Sequence, residues 1–128
     1  MLRDAFLTLG IVLLAAPDAL RAQEALWRSF TEGGRKQQRD GNFRQAQQLY
    51  FAALQQAEKF PPRDARLVTS LSLLADIYQV EGRYAESEAL YQRVQEIGKA
   101  GDSTVWKKLA ELALAQGQYT KSDRKSVV

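Results

Sequence analysis

The sequence predicts an all-α protein built from antiparallel helix pairs that stack side by side. Three glycines, Gly41, Gly82 and Gly117, are surrounded by similar residues at the same offsets. The apolar residues around them recur with helical periodicity, and no segment shows the alternation of a half-buried strand. Repetition of this kind is typical of solenoids, in which each unit buries its apolar face against its neighbours.

Composition limits the possible functions. The chain has 128 residues, 45% of them hydrophobic and 26% charged, which suits one small globular domain. It contains no cysteine and no histidine. Disulfides, histidine bases and most transition-metal sites are therefore excluded, and we expect no catalytic residue, no metal and no cofactor. The net charge of +3 is too small to indicate nucleic acid.

The first 22 residues resemble a secretory signal peptide. Arg3 precedes an apolar run over residues 5–16, which is followed by Pro17 and a polar stretch up to Ala22-Gln23. The run is shorter than the roughly 20 residues that a membrane span needs. The sequence therefore predicts cleavage after Ala22 and a secreted or periplasmic location, with an uncleaved anchor or a buried first helix as alternatives.

The first repeat unit covers about residues 27–60. Gly41 is expected to form the turn between its two helices, because glycine adopts positive φ at little steric cost. Pro61-Pro62 then ends the unit. Gly33-Gly34 makes the first helix of this unit the weakest part of the pattern.

The second unit covers about residues 64–100 and begins with Asp64, a candidate N-cap. One helical face carries its apolar residues, namely Leu67, Leu71, Leu74, Ala75 and Tyr78. Gly82 is the predicted turn, and a second helix follows from Tyr84 to Ile97. The aromatic residues of the two units sit at packing offsets and are predicted to be core: Phe43, Tyr50, Phe51, Tyr78, Tyr84 and Tyr91.

The third unit is predicted over residues 103–122 and is incomplete. Gly117 occupies the turn position, with Trp106 eleven residues before it and Tyr119 two after it. The chain then stops where a second helix would begin. We expect a fragment of a longer protein, because a repeat that cannot complete its pair leaves apolar residues without partners. Residues 123–128 also resemble the translation of a sequencing adapter; a natural basic tail is the alternative.

These offsets resemble the tetratricopeptide repeat. The stretch from Gly82 through Tyr84 to Tyr91 is especially similar to the longer, kinesin light chain-like variant, as is the 41-residue spacing from Gly41 to Gly82. The standard period is about 34 residues. The resemblance implies a right-handed superhelix, or α-solenoid, and a non-catalytic scaffold for protein–protein interaction.

The resemblance also implies a binding surface on the concave face, formed by the first helix of each unit. The implied peptide-binding residues are Arg28, Thr31, Arg35, Gln38 and Arg39 in the first unit; Thr69, Ser72, Asp76 and Gln79 in the second; and Thr104, Lys107 and Glu111 in the third. The first unit is the basic end, which suits an acidic or C-terminal segment of a protein or peptide partner. The lysine and asparagine arrangement that clamps a terminal carboxylate in some relatives is absent.

Other functions compete with a soluble scaffold. An uncleaved N-terminal segment would make the protein a membrane-tethered assembly factor, and a missing catalytic part would make it the docking domain of a larger enzyme. A nucleic-acid module using the arginines of the first unit is disfavoured by the predicted export. A membrane partner is expected only if the N-terminal segment is retained.

Overall fold

The computed structural model describes the backbone of residues 2–98 and 103–126, and the side chains of residues 18–98, 104–105 and 107–117. The described backbone is helical except in short turns, and it contains no strand. Its helices are α1 (Leu2–Arg39), α2 (Phe43–Ala57), α3 (Ala65–Val80), α4 (Tyr84–Ile97) and α5 (Ser103–Ser126). The predicted all-α fold is confirmed.

Each helix packs against the next one along the chain. One continuous core runs between them, and its largest fully buried apolar side chains are Tyr50, Leu71, Leu74, Ile77 and Leu112. A long-range hydrogen bond also links the first helices of the two complete pairs, because Trp27 Nε1 donates to Ser70 Oγ at 2.7 Å. The result is an α-helical repeat solenoid in which α1, α3 and α5 occupy equivalent places.

The two tight turns inside the pairs are formed by glycine, as the sequence predicts. Gly41 has φ of 80° and Gly82 has φ of 78°, and these are the positive φ values in the described backbone. A Cβ atom would meet nothing within 4 Å at either position, so glycine is required there for its backbone conformation. Each turn reverses the chain and starts the second helix two residues later.

The junction between the two pairs is fixed by Asp64. Its carboxylate accepts the backbone N–H of Arg66 at 2.8 Å, so the predicted N-cap of α3 is confirmed. The Arg66 guanidinium also donates to both carboxylate oxygens at 2.9 Å and lies 3.6 Å from the centroid of the Phe60 ring. These contacts hold the start of α3 against the α2–α3 loop.

The predicted turn at Gly117 is wrong, because α5 runs through this residue to Ser126. A glycine inside a helix costs only about 1 kcal/mol relative to alanine, so it does not end a helix by itself. Residues 118–126 contain one large apolar residue, Tyr119, and a second helix there would have no apolar face to fold back.

Two of the aromatic residues predicted as core are exposed. Phe43 and Phe51 are 37% and 49% exposed on the outer side of α2. Phe51 adjoins the fully buried Tyr50, and consecutive side chains of a helix point about 100° apart. Tyr91 is buried as predicted, whereas Tyr78 and Tyr84 are partly buried against the core.

The predicted signal peptide falls on α1, and the side chains of residues 1–17 lie outside the described part of the structure. The predicted cleavage point, between Ala22 and Gln23, lies within this helix. None of the helices, within the residues that the structure describes, is both long enough and apolar enough to cross a membrane. Residues 127–128 of the predicted tail are also outside the described part.

Candidate functional site

Residues from α1, α3, α4 and α5 meet around two adjoining cavities. The first, which we call the valine cavity, has a volume of about 220 Å³ and is lined by Val68, Ser72, Asp76, Tyr91, Val94, Thr104, Val105 and Lys108. The second, the glutamine cavity, has a volume of about 540 Å³ and is lined by Gln38, Asp76, Gln79, Val80, Tyr84, Lys108 and Ala115. Together the two cavities form the groove.

Asp76 and Lys108 line both cavities and therefore separate them. Lys108 Nζ lies 3.6 Å from Asp76 Oδ1, and each side chain is 38% exposed. Tyr91 also donates its hydroxyl hydrogen to Asp76 Oδ1 from below. The aspartate is thus held in place by one hydrogen bond and one ion pair, while part of it remains accessible to a ligand.

Two buried tyrosines support the floor of the groove. Burial raises the pKa of Tyr91, and the hydrogen bond to Asp76 raises that pKa further. Burial also raises the pKa of Tyr50, while the nearby Arg35 opposes that shift. Both phenols therefore stay protonated at neutral pH, and the Tyr50 hydroxyl donates to Gln38 Oε1 at 2.7 Å.

The structure brings some of the predicted peptide-binding residues together in this groove. Of the residues predicted for peptide binding, the ones that line its cavities are Gln38, Ser72, Asp76, Gln79 and Thr104. They come from three different helices, because α1, α3 and α5 are the first helices of successive units and present equivalent faces.

The remaining predicted residues line neither cavity of the groove. Arg35 and Arg39 are exposed on α1, near enough to influence the pKa of Tyr50. Arg28 is exposed and pairs with Glu24 at 3.2 Å, and Thr69 donates its hydroxyl to the Ala65 carbonyl at 2.9 Å. Lys107 and Glu111 are exposed on α5.

The prediction that Thr31 faces a partner is wrong. Thr31 is only 3% exposed, and its hydroxyl donates to the Trp27 carbonyl one turn earlier in α1 at 2.7 Å. A threonine hydroxyl that donates to a carbonyl of its own helix needs no ligand to complete its hydrogen bonding. Thr31 therefore belongs to the interior of the helix stack.

Sequence reasoning missed Lys108 and the valines of the groove. Lys108 stands four residues after Thr104, and residues spaced by four share a helical face, so this spacing was the available signal. Val68 and Val105 could not be told from ordinary core residues, because a valine on an amphipathic helix has the same pattern in both roles.

The polar side chains of the groove are suited to hydrogen bonding. Its polar groups are amides, hydroxyls and one carboxylate paired with an ammonium, all of which donate or accept hydrogen bonds. Across the described residues, no cluster of three or more potential metal ligands occurs. A further cavity, at Phe43, Arg44 and Arg83 near the glycine turns, contains none of the predicted binding residues.

Stacked antiparallel helix pairs with repeated offsets define a helical-repeat protein. The tetratricopeptide repeat family model matches residues 70–100, which cover most of α3 and all of α4. Together with the helical repeat, this match supports a tetratricopeptide repeat protein. Such repeats generally mediate protein–protein interactions and are typically non-catalytic. No curated protein matches the chain.

Proposed function

We propose that this chain is a non-catalytic scaffold that binds an extended segment of another polypeptide in the groove. The observation that carries the proposal is the convergence of Gln38, Asp76 and Thr104, one from each of α1, α3 and α5, on adjoining cavities. Equivalent faces of successive repeats thus create one continuous surface, which is the kind of site that an extended peptide fits.

The charges around the groove favour an acidic partner. Within the described part of the chain, no ion pair involves Arg35 or Arg39, although other exposed arginines are paired. By contrast, the groove's own carboxylate, Asp76, is already paired with Lys108. An acidic side chain of the partner would therefore be attracted to the unpaired arginines of α1. This agrees with the basic end that the sequence predicts.

The proposal can be tested with a phage-displayed library of random 12-residue peptides. After selection on the full chain, the Kd of a labelled selected peptide is measured by fluorescence polarisation. We expect Arg35→Glu/Arg39→Glu to weaken binding about tenfold or more, because two attractive charges become repulsive. We also expect binding to weaken at high salt.

The matched control is Arg44→Glu/Arg63→Glu, which reverses two exposed arginines that line neither cavity of the groove. This control should bind like the wild type. Failure to select any peptide, or equal loss in both double variants, would contradict the proposed groove.

We also propose that the chain is exported, from the secretory pattern of residues 1–22, and that its repeats are of the kinesin light chain-like variant. The 41-residue spacing between the turn glycines supports that variant.

Mass spectrometry of the mature N-terminus tests the export, and we expect the chain to begin at Gln23. An intact N-terminus in the membrane fraction would favour the tethered assembly factor instead. Re-amplifying the gene tests the predicted truncation.

A further inference from the structure

We infer that the partner is an internal extended segment that inserts one aliphatic side chain into the valine cavity and places an acidic side chain over Arg35 and Arg39 of α1. This inference rests on the proposed function and specifies the partner's chemistry. It follows from the contrast between the two cavities and from the position of the ion pair between them.

The valine cavity has an apolar floor. Val94, Val105 and Tyr91 are 2%, 7% and 3% exposed, so their surfaces at the cavity are extensions of the hydrophobic core. Its volume of about 220 Å³ is below the roughly 300–1,000 Å³ of small-molecule sites. The cavity is therefore suited to a single side chain, and an aliphatic one gains most from leaving water there.

The rim of this cavity disfavours a charged side chain. Asp76 repels an acidic group, and the nearby ammonium of Lys108 is already paired with Asp76 at 3.6 Å. A basic group would have to displace Lys108 and lose its own hydration above an apolar floor. For the same reason the valine cavity does not suit a terminal carboxylate, so the segment does not end at this cavity.

Beyond the ion pair, the groove suits a peptide backbone. Gln38 and Gln79 each stand three residues before a turn glycine, so they are equivalent residues of the two units. Gln38 Oε1 accepts the Tyr50 hydroxyl, which leaves the amide nitrogen of Gln38 to donate to a partner's carbonyl group. An extended segment offers such groups at regular intervals.

Arg35 lies about one helical turn before Gln38 on α1 and Arg39 lies directly after it, and Gln38 lines the glutamine cavity. The uncompensated charge of the two arginines is complementary to an acidic side chain, and the valine cavity lies on the other side of Asp76 and Lys108. A segment that crosses the groove thus meets an apolar site and a basic site in succession.

The test uses the same phage library, in which each peptide is fused at its C-terminal end and has no free carboxylate. We expect selected peptides to share a leucine, isoleucine or valine together with an aspartate or glutamate. Replacing that aliphatic residue by alanine in the labelled peptide should weaken the Kd about tenfold or more.

Protein variants test the cavity itself. Ser72→Leu places a larger side chain in the valine cavity and should weaken binding of the aliphatic peptide about tenfold, yet affect the alanine peptide little. Ser29→Leu is the matched control, because Ser29 is exposed on α1 and lines neither cavity. Circular dichroism of both variants should equal that of the wild type.

The outcomes separate this inference from the proposed function. If Arg35→Glu/Arg39→Glu weakens binding while the peptide's alanine substitution and Ser72→Leu do not, the valine cavity has no role and the scaffold function stands. If no peptide is selected, both the scaffold function and the inference fail. A selected peptide that binds at least tenfold more tightly when synthesised with a free C-terminal carboxylate than when C-terminally amidated would overturn the internal segment.

Discussion

The two complete helix pairs, α1–α2 and α3–α4, share one geometric frame. Each turns at a glycine of positive φ, and nine residues after that glycine each places a buried tyrosine, Tyr50 or Tyr91. The tyrosines pack between the two helices of their own pair and send their hydroxyls towards the groove. The residue spacing therefore sets the position of the turn and of the buried tyrosine ring in both pairs.

The pairs differ in what surrounds the tyrosine. Six residues before the glycine, the first pair has Arg35 and the second has Asp76. Asp76 accepts the Tyr91 hydroxyl, whereas an arginine cannot accept a hydrogen bond, and the Tyr50 hydroxyl donates to Gln38 instead. The comparison shows that the core of the repeat is kept while the charge presented to the groove changes sign.

The largest predicted effect concerns Gly34, which faces Tyr50, where the second pair has the buried Ala75. A Cβ atom on Gly34 would lie 2.5 Å from Cδ1 and Cε1 of the Tyr50 ring. Because that ring is fully buried, we expect Gly34→Ala to lower the free energy of unfolding by about 1–3 kcal/mol or more, as overpacking does. Urea unfolding followed by circular dichroism measures this.

The adjacent Gly33 provides the control. Its Cβ would lie 3.4 Å from Leu49 Cδ1, which is an ordinary contact. Gly33→Ala should therefore be neutral or stabilise the helix by up to about 1 kcal/mol, since alanine is the better helix former. If both alanine variants gained stability, Tyr50 would not be packed against α1 as described, and the two pairs would be closer in structure than the comparison states.

The next effect compares the two hydroxyls. Hydrogen bonds to charged groups contribute about 1.5–3 kcal/mol and neutral ones about 0.5–1.5 kcal/mol. We expect Tyr91→Phe to cost about 1.5 kcal/mol, at the lower limit because Asp76 is partly exposed, and Tyr50→Phe to cost about 0.5–1 kcal/mol. The measurement is urea unfolding at pH 7.

The pH dependence distinguishes this explanation from lost packing. Because the folded-state pKa of Tyr91 is raised, its contribution is fully present below the unfolded value of 10.0 and is lost as the pH rises towards the folded value. The gap between wild type and Tyr91→Phe should therefore narrow above about pH 10. In an Asp76→Asn background the cost of Tyr91→Phe should fall; an unchanged cost would show that Asp76 is not the acceptor that matters.

The repeated offsets predicted the parts of the fold that depend on local backbone chemistry. The turns at Gly41 and Gly82 and the cap at Asp64 follow from residue types that favour one conformation. The prediction of a turn at Gly117 was wrong, because the residues after this glycine have no apolar face that could pack as a second helix. A residue type that favours a turn or a cap predicted the structure correctly only where the packing of the neighbouring helices agreed with it.

The groove was less predictable than the fold. Gln38 and Asp76 followed from the repeated face, but Thr31 shares that face and is buried by packing that its own sequence does not reveal. The valine cavity depends on how far α5 lies from α3, a distance that no residue pattern specifies. Residue spacing therefore indicates which side of a helix faces the groove. Whether each residue on that side is buried or exposed can be seen only in the structure.

The smallest predicted effect concerns how each pair begins. Asp64 caps α3, whereas the equivalent residue of the first pair, Gln23, lies inside α1, where no cap is needed. Asp64→Ala should lower the free energy of unfolding by about 1 kcal/mol at pH 7, and Gln23→Ala should change it by less than about 0.5 kcal/mol. Equal losses in the two variants would show that α3 does not depend on its cap.

Acid titration of the same variants tests the cause. The hydrogen bonds from the Arg66 side chain hold the pKa of Asp64 below the ordinary value of 3.8. A depressed folded-state pKa contributes stability that is present above 3.8 and is lost as the pH falls through the folded value. The deficit of Asp64→Ala should thus shrink below that pH, while Asp64→Asn, whose side chain can still accept the Arg66 N–H, should retain part of the cap at every pH. A deficit independent of pH would show that the ionised carboxylate of Asp64 is not the cause of its effect.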